Sequence, residues 1–195
     1  MKRKRKLFMN LCLIVLLVYM LVFRIGDLYF TQTGLLRVHE RAIHRGPSEE
    51  ILIWHENPDG MGLVVGLLAD GSYSAFTTER AGGIFQRYTG GCLLRYDEDV
   101  VVCIFTKQKC VLIVSWNPEI KEVYFQYEAG KGHYGPNAEK LQEETVTLDR
   151  RGFAFLDLYG KETVQGQISP YTEYIEGRDA DGNVVWTSGV NLFPH

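Results

Sequence analysis

Residues 100–116 read VVVCIFTKQKCVLIVSW. Two near-continuous apolar runs, 100–106 and 110–116, are joined by Lys107-Gln108-Lys109. Each run is too short for a buried helix and rich in β-branched residues. That combination predicts a pair of strands buried on both faces. Asn117-Pro118 then breaks the chain, because proline restricts the residue before it and has no N–H to give.

The same grammar holds on either side. Before residue 100, runs at 51–55, 62–69, 72–78, 84–88 and 92–96 are separated by Asn57-Pro58-Asp59-Gly60, by Asp70-Gly71 and by Gly90-Gly91. Asp70-Gly71 has the composition of a two-residue hairpin turn. After Pro118, apolar and polar residues alternate at 121–128, 144–148, 153–158, 171–176 and 184–187. Asp149-Arg150-Arg151-Gly152 and the stretch 178–183 mark further turns, and 137–143 suits a short helical turn. Ten or eleven short strands at this spacing predict a mainly β protein, an all-β sandwich or barrel-like region. Asn117-Pro118 is the expected internal boundary, between β subdomains 48–116 and 117–195.

The chain before residue 48 differs. TQTGLLRVHERAIHRG, residues 31–46, places Leu35, His39 and Ala42 on one helical face with Leu36 and Ile43 beside it. Gly46-Pro47 stops it, so 27–47 is expected to be a short juxtamembrane helix. Ahead lies Lys2-Arg3-Lys4-Arg5-Lys6, then LFMNLCLIVLLVYMLVF at 7–23, in which Asn10 alone is strongly polar. An apolar run of this length, extended to Ile25 by snorkelling of Arg24, predicts a transmembrane helix at 7–25 that meets the lipid bilayer. Cations on one side only leave residues 1–6 as a cytoplasmic tip and send the rest outside. A cleaved secretory signal shares the basic and apolar regions. It would need small residues at the cut, and the run is followed by Arg24-Ile25-Gly26-Asp27, so an uncleaved signal anchor is the expectation.

Six of the 21 basic residues precede Asp27, the first acidic one; from there on 15 basic face 24 acidic side chains, a net of −9. A folded part so acidic lacks the basic face that nucleic-acid binding requires. At 46% apolar and 23% charged residues, the chain is not disordered.

A basic tip, one apolar span, the junction Gly46-Pro47-Ser48-Glu49 opening a β region, and a closing hairpin Ile175-x-Gly177-x-Asp179-x-x-Gly182-Asn183-Val184-Val185 together resemble small single-pass, membrane-anchored proteins of Gram-positive spore-forming bacteria, a group with no assigned function. The closing hairpin also resembles those ending many immunoglobulin-like extracellular domains. That likeness implies an immunoglobulin-like C-terminal half and supplies no catalytic or ligand residues.

Chemistry-bearing patterns are sparse. His39 and His44 diverge by about 140° on a helix, and no Cys-x-x-Cys, His-Glu-x-x-His or Gly-x-Ser-x-Gly occurs. No metal or cofactor set is therefore assigned. Asp179-Ala180-Asp181-Gly182-Asn183 has part of a calcium loop, but Val184-Val185-Trp186 follows at once, so a polar hairpin turn is expected. The loop Gly130-Lys131-Gly132-His133-Tyr134-Gly135-Pro136 is glycine-rich, aromatic and cationic. Lys131, His133 and Tyr134 are its candidate ligand or partner residues. Among the cysteines, Cys92 and Cys103 would face each other if residues 96–99 closed a four-residue hairpin. Buried free thiols are the competing reading. The expected role is a non-enzymatic interaction or sensing module at the cell envelope, with an envelope or membrane protein as partner. The alternative is an envelope hydrolase acting on wall polymer or peptide.

Overall fold

Twelve strands and two helices form among the described residues, which in this computed structural model are 2–21, 28–83, 85–95, 99–130, 140–159 and 167–189. The chain is mainly β. It divides into two units, Met1–Leu93 and Leu94–His195.

In the first unit α1 (Lys2–Tyr19) takes all five cations into its opening turns, leaving Leu7 to Tyr19 as its apolar part. No helix of the described residues is long and apolar enough to cross a membrane; residues 22–25 of the expected span lie outside the described residues. After β1 (Leu28–Tyr29), α2 (Gln32–Ala42) is capped by Thr31, whose hydroxyl accepts the Gly34 N–H at 3.0 Å. Four strands then run as an antiparallel meander: β2 (Glu50–Glu56), β3 (Met61–Leu67), β4 (Tyr73–Ala81) and β5 (Phe85–Leu94). With β1 they make one sheet in the order β1-β5-β4-β3-β2. The buried stripe of α2 is Gln32, Leu35, Leu36 and Glu40, at helical spacing. Leu36 packs on Val64 and Phe76. Gly62 and Gly66 flank Val64 on the same face of β3, and a Cβ there would strike Gln32 Nε2 at 2.7 Å and Ser48 Oγ at 2.0 Å respectively. The two glycines therefore make room in the sheet for the polar ends of the helical stripe.

Among the described residues the second unit holds seven strands: β6 (Val100–Phe105), β7 (Cys110–Ser115), β8 (Glu122–Gly130), β9 (Lys140–Thr147), β10 (Phe153–Asp157), β11 (Gln167–Arg178) and β12 (Val184–Gly189). The first, second and fifth of these form a sheet in the order β10-β7-β6; the others form β12-β11-β8-β9. Between the two sheets lies one core, with Val100, Ile104, Val111, Ile113 and Ala154 on one side and Val123, Phe125, Tyr127 and Ile175 on the other. At about 25 cal/mol per Å² of apolar surface, this burial is the main stabilising term of the unit. All of β7 is buried, as the run at 110–116 led us to expect for a central strand.

Several sequence expectations shift. Residues 84–88 and 92–96 were expected as two strands, yet β5 runs unbroken through Gly90-Gly91. A Cβ on Gly91 would sit 2.5 Å from Phe76 Cδ1, so that glycine answers a close approach rather than a turn. Lys140 to Glu143, expected within a helical turn, pair with β8 from Ala129 to Gln126; residues 137–139 are outside the described set. The boundary expected at Asn117-Pro118 lies instead within the second unit, because β10 returns to pair with β7 across it.

Four turns share one design. Asn57–Met61, Leu68–Ser72, Asp149–Phe153 and Asp179–Asn183 each have a fourth-position glycine at φ between +73° and +84°. In each, that glycine's N–H donates to the first residue's carbonyl, while the first residue's N–H bonds the carbonyl of the fifth. This is the three-residue hairpin loop, a type I turn followed by a glycine bulge. It replaces the two-residue turn expected at Asp70-Gly71. In three of the four, the first side chain (Asn57, Asp149 or Asp179) accepts the N–H groups two and four residues on, at 2.8 to 3.1 Å.

Candidate functional site

Two polar constellations stand out, one in each unit. In the first, Glu40 on α2 is fully buried. Its carboxylate accepts the Ser48 N–H at 3.2 Å, the Ser48 and Ser74 hydroxyls, and Arg37 Nη1 at 3.1 Å. Arg37 also donates to the Ser48 carbonyl at 2.9 Å. A buried carboxylate is tolerable only when its lone pairs are filled, and here four donors fill them. The cluster ties α2 to the chain entering β2. Two turns earlier on α2, Gln32 Nε2 donates to Glu56 Oε2 at 3.1 Å, Gln86 Nε2 to the same oxygen at 3.3 Å, and Arg80 pairs with Oε1. An open hollow of about 530 Å³ lies past the Glu40 cluster, lined by residues including His44, Arg45, Glu49 and Asp70.

In the second unit the chemistry sits on the outer face of the four-stranded sheet. Since Val123, Phe125 and Tyr127 point into the core, strand alternation turns Tyr124 and Gln126 outward. Register aligns Thr145, Tyr124 and Glu176 in one row and Glu143, Gln126 and Tyr174 in the next. Tyr124 Oη donates to Glu143 Oε2 at 2.9 Å and accepts Gln126 Nε2 at 2.7 Å. Tyr174 Oη donates to Glu176 Oε1 at 2.9 Å, and Arg178 reaches Glu176 Oε2 through Nε at 2.9 Å and Nη2 at 2.6 Å. The Arg178 guanidinium lies 5.0 Å from the Tyr124 ring centre and joins the two halves through a cation–π contact. Burial first, then the neighbouring carboxylates, push the Tyr124 and Tyr174 phenols above their ordinary range, with the Gln126 bond partly opposing this at Tyr124. Both phenols therefore remain donors at neutral pH. A hollow of about 330 Å³ opens beside Tyr124, Glu143, Glu144, Thr145 and Arg178. The arrangement can accept hydrogen bonds from a partner through Glu143 while Arg178 stays engaged by Glu176.

Comparison with family models, with curated proteins and with solved structures gives no match.

Of the residues singled out from sequence, Lys131, His133 and Tyr134 lie outside the described residues. None of the four cysteines is in a disulfide; Cys92 sits on β5 and Cys103 on β6, strands of different sheets, so the hairpin that would have opposed them does not form. Cys110 pairs with Phe105 across a four-residue turn, residues 106–109. Its thiol is pushed up to about 12 by burial and by Asp157. Asp179 spends its oxygens on its own turn, accepting from Asp181, Gly182 and Asn183. Among the described residues, no group of three or more His, Cys, Asp or Glu is placed to hold a metal ion. Sequence reasoning missed both constellations. Glu40 looks like one more charge on a solvated helix face, and nothing in the alternation of β8 shows that its outward Tyr124 and Gln126 are buried.

Proposed function

We propose that this protein is held at a membrane by α1, with the basic tip in the cytoplasm, and that its β region stands outside as a non-enzymatic interaction or sensing module of the cell envelope. One observation carries the reading. From Leu7 to Leu21 the large apolar side chains are all 47% to 74% exposed, on every side of a helix headed by five cations. A helix apolar all round needs an apolar surrounding, and lipid supplies it. An amphipathic helix lying flat would keep a polar face, and this one has none. The apolar sequence runs on through Val22 and Phe23, which lengthens the stretch available to cross.

The strand order of the second unit supports an immunoglobulin-like sandwich. First, second and fifth strands face third, fourth, sixth and seventh, a three-plus-four division of the seven described antiparallel strands between two sheets. Such sandwiches serve many functions, so the fold by itself assigns none. The role rests on the tether, which confines partners to a thin layer and raises their effective concentration. The test is photo-crosslinking in intact cells from a probe at Thr145, beside the hollow of the outer face. A discrete adduct with an envelope protein is expected, and it should disappear with Glu143→Gln. Labelling no different from a probe at exposed Asp181 would contradict the reading.

A further inference from the structure

The five cations lie on the helix itself, not on a frayed tail before it. Consecutive residues of an α-helix step 100° around the axis and rise about 1.5 Å. Positions 2 to 6 therefore surround the axis: every direction lies within about 50° of one of them, in a band about 6 Å tall. Lys4, Arg5 and Lys6 are exposed. Immediately below, the apolar sequence Leu7–Phe23 has seventeen residues, about 25 Å if helical throughout, against a hydrocarbon core of about 30 Å. A span that short draws its flanking cations toward the phosphate level, where long basic side chains snorkel.

We propose that this collar, Lys2 to Lys6, binds the headgroups of anionic phospholipids and gathers acidic lipid around the helix. The inference rests on the reading of α1 as a membrane span. Charge complementarity selects the partner, since basic residues beside a membrane are drawn to acidic lipid and the attraction falls off within a screening length. A stripe of cations would press a helix against a surface. A closed ring instead suits a helix that passes through the headgroup layer and meets phosphates on all sides.

The experiment uses the full chain reconstituted into vesicles of equal phosphatidylglycerol and phosphatidylcholine. The protein is extracted in mild detergent and the ratio of the two retained lipids is measured. At 0.1 M salt phosphatidylglycerol should be enriched at least fivefold. In 1 M salt, where screening reaches in to about 3 Å, the ratio should return toward one. The triple variant Lys4→Gln, Arg5→Gln, Lys6→Gln should lose most of the enrichment at low salt. Protein that resists alkaline extraction yet retains the two lipids equally at 0.1 M salt overturns the collar alone. Protein washed from the vesicles by alkaline carbonate overturns the span reading and the collar with it.

Discussion

Tyr127 is fully buried in the core of the second unit, and its hydroxyl has no hydrogen-bond partner among the described residues. Burial, then Glu144, push this phenol up to about 12. An unsatisfied buried hydroxyl costs about 1 to 3 kcal/mol, so Tyr127→Phe should raise unfolding stability by about 1 kcal/mol; a loss in urea titration would contradict this. Glu40 is the opposite case. Glu40→Ala strands Arg37, Ser48 and Ser74 and should destabilise the first unit by about 3 kcal/mol, read as a lower denaturation midpoint. Cys110, buried with a raised thiol, should resist alkylation at pH 8 in the native protein, and four thiols should react after unfolding without reductant. Two reactive thiols would instead indicate a disulfide. At this scale the sequence was legible wherever a residue serves its own neighbours, as with Asp179 and Gly182. It was opaque for Glu40, whose serine partners lie 8 and 34 positions away.

Turns and strands were the most legible elements, because a turn is chemistry within five residues. Asp149 shows what such a turn contributes. Burial alone would raise its pKa, but amide bonds from Phe153 and Arg151, with the Arg151 guanidinium, outweigh that and lower it. A carboxyl lower in the folded than in the unfolded state stabilises above the unfolded value near 4 and loses that contribution as pH falls through the folded value. Asp149→Asn should therefore lower the melting temperature at pH 7 and make its fall toward pH 3 shallower. Equal slopes in thermal scans at the two pH values would count against this. Strand identity failed where glycine plays two parts. Gly90-Gly91 looks like a turn, yet the tight approach of Gly91 to Phe76 puts the pair inside β5. Alternation in β9 was hidden for the same kind of reason: Lys140 to Glu143 carry helix-tolerant residues and become strand only by pairing with β8.

For the whole chain, a mainly β architecture follows from composition and spacing alone, and the division after Leu93 does not. Asn117-Pro118 breaks the chain more visibly, but β7 and β10 pair across it, and a pairing that distant leaves no local mark. What the apolar helix α1 does is decided by the phase around it, not by contacts within the fold. The most direct measurement of the central claim is protease treatment of whole cells expressing the chain with an epitope tag at each end. The account predicts that the C-terminal tag is removed while the N-terminal tag survives until the membrane is permeabilised, with the protein still cell-bound. A C-terminal tag protected in intact cells, or a chain recovered from the medium starting near Asp27, would contradict it.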